Sequence, residues 1–385
     1  MSKWSERLLR LPPYLFAGLE AKASELRTKG VDLIDLGIGD PDLPPVPEFE
    51  SALRDHLHDA DAHLYPTSMG DPAVRTSIAR WAKIRFGVEV DPASEVCVLL
   101  GAKEGLANLA RAYVNLGDRV AVPDPAYPVY ANGATILCDG VPVSLPLDET
   151  KGMLPDLSTI PDEVRMLYLN YPNNPTGAIA TSEFFTEVAQ WTEAHPECVV
   201  VQDNAYSELT FAGYQAPALL QHTRKGIEFF SLSKVVNATG YRIGWAIGDP
   251  DIIRALVKVK TQLDSGAPVF IQRAAAAILD YYTTPGQLPD CIAQNLSVYG
   301  ERRVTMENGL RQLGIEFLAS SATFYVWAKV PKGWDDVTFV DAAMEKGVIV
   351  TPGRGFGKQG EHRIRFALTQ PTERIIQALA RIATL

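Results

Sequence analysis

Apolar residues recur at helical spacing over 14–29, where Leu15, Leu19, Ala23 and Leu26 share a face and Gly30 can close the C-terminus. Residues 31–36 alternate instead, which predicts a strand. Further helices are predicted over 47–57 and 72–86. Asp71 is placed to cap the second, with Pro72 at its first position and Gly87 after its end. An apolar strand over 95–100 runs into Gly101–Gly105 and then a helix reaching about residue 114. Strands are predicted near 119–122, 134–138, 165–170, 198–202, 227–231 and 241–247, and helices near 181–194 and 250–263. This alternation predicts an α/β unit built on a mostly parallel sheet. After about residue 283 the pattern changes. A long helix over 287–313 precedes strands near 322–328, 347–350 and 362–368 and helices at 336–346 and 371–383, the marks of a smaller α+β unit.

Composition narrows the classes. With 46% hydrophobic and 21% charged residues, the 385-residue chain can bury a sizeable core. Its net charge of -10 disfavours nucleic acid or an anionic membrane as partner. Cys97, Cys138, Cys198 and Cys291 form no Cys-x-x-Cys pair, and three of them lie in or beside apolar runs, so buried free thiols are expected, as in a reducing cytoplasm. Residues 1–16 carry Lys3, Arg7, Arg10 and Pro12-Pro13 without a continuous apolar core, so no signal peptide is expected. No uninterrupted apolar run reaches the ~18 residues of a membrane span.

The densest candidate chemistry lies over 227–245. Ile227–Phe230 reads as a buried strand, and Ser231 and Ser233 share one side of its extended continuation. Lys234 follows where the strand ends, and Arg242 comes eight residues later. Two hydroxyls and a guanidinium suit a phosphate, leaving the lysine amine for covalent work. A polar turn with a solvated lysine explains the stretch equally well. The Gly101 turn is a second anion candidate, because a helix N-terminus presents unpaired N–H groups at Ala102 and Lys103. Ligands of such sheets bind at the carboxyl ends of strands. Lys103, Tyr127, Asn174, Asp203, Tyr206 and Lys234 all fall there. Two tempting motifs fail. Gly37–Gly39 lacks the third glycine of a dinucleotide loop, and Gln359 stands where a P-loop needs Ser or Thr. His56, His58 and His63 match no metal-ligand spacing.

Four stretches in order then resemble one family: Tyr171-Pro172-Asn173-Asn174-Pro175-Thr176-Gly177, Asp203-Asn204-Ala205-Tyr206, Ser231-Leu232-Ser233-Lys234 with Arg242, and Arg363-Ile364-Arg365-Phe366-Ala367. They resemble the class I aminotransferases, enzymes of fold type I that use pyridoxal 5′-phosphate (PLP). The resemblance implies a large domain with a mostly parallel seven-stranded sheet between helices, and a smaller α+β domain. It places an N-terminal arm and part of the small domain at 1–46, the PLP-binding domain at 47–283 and the rest of the small domain at 284–385. It also implies roles. Lys234 would hold the cofactor aldehyde as a Schiff base and, once displaced, serve as general base. Asp203 would pair with the pyridine nitrogen, Tyr206 and Asn174 would bond the phenolic oxygen, and Tyr127 would stack on the ring. Ala102, Lys103, Ser231, Ser233 and Arg242 would hold the phosphate, with Tyr65 reaching it from the partner subunit of a homodimer. Arg363 is preferred over Arg365 as the clamp on the substrate α-carboxylate, with Gly39 beside it.

Within that family the stretches 36–42, 101–103, 174–181, 205–208 and 264–266 look like LL-diaminopimelate aminotransferases. Those enzymes exchange an amino group between tetrahydrodipicolinate and glutamate on a route to lysine. Tyr14 and Lys103 would then touch substrate. Ser265-Gly266-Ala267 departs from the Asn-Gly-Ala of some members, which leaves recognition of the distal end open. Rival readings are an aspartate, alanine or aromatic aminotransferase, or a PLP-dependent β-lyase. A PLP-binding regulator without turnover is disfavoured by the acidic chain and the lack of a helix-turn-helix extension.

Overall fold

The computed structural model describes residues 3–13 and 15–385, without the side chains of 15–17. Seven strands form one sheet: β1 (Val96–Leu99), β2 (Arg119–Asp124), β3 (Val141–Pro146), β4 (Val164–Asn170), β5 (Val199–Asp203), β6 (Ile227–Ser231) and β7 (Gly244–Gly248). Their order is β1-β7-β6-β5-β4-β2-β3. Only β7 runs against its neighbours. Side chains alternate across the sheet, and both faces are apolar because both are covered. On one face Met166, Tyr168, Val201 and Phe229 pack with Leu106 and Leu109 of the helix Ala102–Tyr113. On the other, Leu167, Leu169 and Val200 pack with Phe184, Phe185 and Val188 of the helix Ser182–Ala194.

A second, antiparallel sheet has the order β9-β10-β8, from β8 (Tyr325–Lys329), β9 (Thr351–Pro352) and β10 (Arg363–Ala367). Ile34–Asp35 pairs in parallel with Val348–Ile349, so this N-terminal segment joins the C-terminal part of the chain. The Ala367 N–H donates to the Leu36 carbonyl at 2.7 Å, which brings the following Gly37–Gly39 loop to the seam between the sheets.

Three elements differ from expectation. The apolar run over 134–138 is not a strand: the chain forms a π-helical turn at Tyr130–Thr135 and a 3-10 turn at Ile136–Cys138. Tyr130 and Ala134 are thereby both buried, one turn apart, against the sheet. The strand comes later, at β3, an edge strand in which only Leu145 is buried, so it leaves no apolar alternation to read. The helix Val269–Asp280 also has no clear stripe, because it is buried on nearly every side. Among the described residues no helix is long and apolar enough to cross a membrane, and no group of three or more metal-ligating side chains is gathered.

Candidate functional site

β4, β5 and β6 end in polar residues, Asn170, Asp203 and Ser231, after runs of buried apolar ones. In-register pairing sets Asn170 beside Asp203. A cavity of about 280 Å³ opens at these ends and is closed from the other side by Gly39, Tyr325 and Arg365.

The Asp203 carboxylate is buried at the floor. The Tyr130 hydroxyl donates to its Oδ2 at 2.7 Å and the Ala205 N–H to its Oδ1 at 3.3 Å. Burial pushes its pKa up to about 6, and these two donors restrain the rise. Among the described residues no cation pairs with it. Asn170 braces the same corner, its Nδ2 donating to the Asp203 carbonyl at 2.8 Å while its Oδ1 accepts the Asn174 N–H at 2.8 Å. Tyr127 lines the cavity, edge-on to Tyr130 at 5.9 Å. Tyr206 lines it too, its hydroxyl 3.1 Å from that of Tyr325. Burial holds the Tyr206 phenol well above its usual pKa.

Lys234 follows β6 by three residues and points its Nζ at the Gly39 carbonyl, 2.8 Å away. Removal from water lowers the pKa of this amine to about 8; Asp40 pulls it upward, while Arg365 and Arg242 repel the charge further. Ser231, Ser233, Arg242, Ala102 and Lys103 gather at one end of the cavity. The Ser231 hydroxyl accepts the Ser233 N–H at 3.1 Å, and Arg242 is held by the Thr239 carbonyl at 2.7 Å. Gly101 opens the helix at φ +81°, a conformation that favours glycine, and its missing Cβ leaves room for the Arg242 guanidinium.

The two arginines of β10 part company. Arg363 is not among the residues lining the cavity: it pairs with Glu149 at 2.5 Å. Arg365 lines the cavity and is 2% exposed. It donates to Asn174 Oδ1 at 2.8 Å and to the Gly37 carbonyl at 2.7 Å, and lies over the rings of Tyr325 and Phe356 at 4.2 and 4.7 Å. The preference for Arg363 is therefore corrected. Two residues along a strand shift a side chain by about 7 Å, enough to carry Arg363 past the rim to Glu149. Tyr65 is 91% exposed and lies outside this cavity, and Tyr14 falls outside the described residues.

Tyr130, Asn170 and Tyr325 were not singled out from the sequence. Tyr130 had a faint signal, three residues after Tyr127 and so one helical turn away. The other two end or begin strands whose apolar residues dominate the pattern.

One cavity holds a buried carboxylate that no cation among the described residues pairs with, an amine of lowered basicity, and a group of hydroxyls, a guanidinium and a helix N-terminus. These residues fit a flat nitrogen heterocycle bearing a phosphate and an aldehyde. Arg365 adds a separate place for a carboxylate.

Comparison with known proteins agrees in kind. The family model described as "Aminotransferase class I and II" matches residues 31–382. A protein of Moorella thermoacetica named LL-diaminopimelate aminotransferase is 44% identical over 386 residues, covering 98% of this chain and 97% of its own. One of Aquifex aeolicus with the same name is 42% identical over 394 residues and 100% of both chains. Among solved structures, a probable N-succinyldiaminopimelate aminotransferase from Thermus thermophilus is 34% identical, with a TM-score of 0.88 over 96% of this chain and 99% of that one.

Proposed function

The chain belongs to the class I and II aminotransferases, with the fold-type-I architecture and the PLP dependence of that family, and from that premise we propose that its cavity moves an amino group between LL-diaminopimelate and 2-oxoglutarate, in the direction of tetrahydrodipicolinate and glutamate or its reverse. The observation that carries the amino-transfer reading is the Lys234 amine held in one cavity with the Asp203 carboxylate and the Arg365 guanidinium. The full-length likeness to proteins named LL-diaminopimelate aminotransferase supports the choice of substrate. On this reading the enzyme serves lysine biosynthesis in the cytoplasm.

When bound, PLP supplies an aldehyde that takes up the amino group and a ring that withdraws electrons from the substrate Cα. Asp203 would hold a proton on the ring nitrogen, its negative charge kept in place by Tyr130. Asn174 and Tyr206 would hydrogen-bond the phenolic oxygen, and Tyr127 would cover the ring face. Ala102, Lys103, Ser231, Ser233 and Arg242 would bind the phosphate, joined by Tyr65 of a second copy. Arg365 orients the substrate by a bidentate grip on its α-carboxylate, with Gly39 close by. Lys234, with a pKa of about 8, is a base already poised near neutral pH. It would take the proton from the substrate Cα and return it, across the amino nitrogen, to the carbon that the cofactor's aldehyde supplies. Tyr14 and Lys103 remain the candidates for the distal end of the substrate. Part of residues 1–46 would join 284–385 in the small domain, the rest being an N-terminal arm, and the pairing of Ile34–Asp35 with Val348–Ile349 supports this.

Incubation with LL-diaminopimelate and 2-oxoglutarate is expected to yield glutamate, measured by coupled oxidation. No glutamate from that pair, alongside turnover of aspartate, would overturn the substrate.

A further inference from the structure

Lys260 ends the helix Pro250–Lys260, is completely buried, and has no part in the chemistry above. Its Nζ lies 3.0 Å from Glu104 Oε2 and 3.2 Å from both carboxylate oxygens of Asp264. Each of these acids also holds backbone. Glu104 Oε2 accepts the Leu100 N–H at 3.1 Å, and its Oε1 accepts from the buried Asn108 amide. Asp264 Oδ1 accepts the Gly266 N–H at 2.8 Å. Gly266, at φ +90°, lies so close to the Thr67 carbonyl that a Cβ would come within 2.7 Å of it. The ammonium thus joins the turn that opens the Ala102–Tyr113 helix to the loop at 264–267 and, through it, to residues 65–70.

Charge gives this junction a consequence for the site. Glu104 stands in the first turn of the helix whose leading N–H groups face the cavity. A carboxylate there favours the helix but repels an anion arriving at the same terminus. We propose that Lys260 is a positioning residue of the phosphate-binding end: it cancels the Glu104 charge beneath the Ala102–Lys103 N–H groups and fixes the Leu100–Gly101 turn that aims them. A buried pair that loses one partner leaves an uncompensated charge. Without Lys260 the Glu104 and Asp264 carboxylates would lose the ammonium that lies between them.

This rests on the reading of Ala102, Lys103, Ser231, Ser233 and Arg242 as the phosphate cup. The test is a titration of resolved holoenzyme, stripped of PLP, with PLP and separately with inorganic phosphate as competitor, read by visible absorption. Lys260→Met is expected to weaken both by at least about tenfold, equivalent to roughly 1.4 kcal/mol, and adding Glu104→Gln to it is expected to recover most of the loss. Glu104→Gln alone is expected to bind both anions as tightly as the parent or tighter, and it serves if Lys260→Met does not fold. A folded Lys260→Met protein with parental affinity would overturn the proposal. So would a Glu104→Gln protein that binds more weakly, since that is the mark of a merely structural role. Arg242→Ala separates the two readings: if it leaves affinity unchanged, the cup itself is misplaced; if it weakens binding while Lys260→Met does not, only the role of Lys260 fails.

Discussion

Arg363 and Arg365 are the same residue type on the same strand, yet their surroundings assign them different work. Arg363 meets Glu149 at the partly exposed rim, where an ion pair contributes about 0–1 kcal/mol. Arg365 is enclosed between two aromatic rings and bonded to Asn174 and the Gly37 carbonyl. Its guanidinium is therefore held in one orientation before any ligand arrives, which lowers the entropy lost on binding. Arg365→Ala is expected to raise KM for amino acid substrates roughly ten- to hundredfold, the scale of lost hydrogen bonds to a charged group. Arg363→Ala is expected to leave KM within a few-fold. Steady-state kinetics of the two variants decide between them, and an effect confined to Arg363→Ala would return the clamp to that position. The sequence could not make this choice, because both side chains belong to one strand face and only the place where the strand meets the cavity separates them.

Elements that end abruptly in a polar residue were the most legible. Asp203 ends a buried strand and Lys234 comes three residues after another; each alone also fits a polar turn, and it is the four ordered stretches together that point to chemistry. The π-helical turn at Tyr130–Thr135 was illegible for the opposite reason: its tyrosine and alanine read as core, and they are core, but the Tyr130 hydroxyl also reaches Asp203. That bond opposes the upward push of burial on the carboxyl. Asp203 is useful charged, so activity should fall as pH drops through its pKa, which is about 6 with no cation beside it and lies lower once a protonated ring nitrogen pairs with it. Tyr130→Phe removes a donor that favours the charged form, so the carboxyl pKa rises and the acid limb of the pH–rate profile is expected to move to higher pH. An acid limb that stays in place, or moves down, would separate Asp203 from that limb. Lys260 shows the same blind spot from the polar side: its charge reads as surface, and only the fold buries it between Glu104 and Asp264.

At the scale of the whole molecule, the site exists because two sheets meet. The seven-stranded sheet supplies Asp203, Asn174 and the lysine, and the smaller sheet supplies Arg365 and Tyr325. Besides the Lys234–Gly39, Tyr206–Tyr325 and Arg365–Asn174 contacts inside the cavity, Asp124 accepts the Gln359 N–H at 3.0 Å and Glu149 holds Arg363. Tyr65 is 91% exposed, as its proposed role at the phosphate end of a second subunit requires. Sedimentation is then expected to give twice the 42.1 kDa of the chain, and a monomer with full activity would remove Tyr65 from the site. The central claim, that amino transfer runs through Lys234, is tested most directly by Lys234→Ala. With LL-diaminopimelate and 2-oxoglutarate, glutamate formation should fall by roughly 10²–10⁴-fold, the contribution of a positioned general base, while the circular dichroism of the fold is unchanged. Glutamate formed at the parental rate by that variant would contradict it.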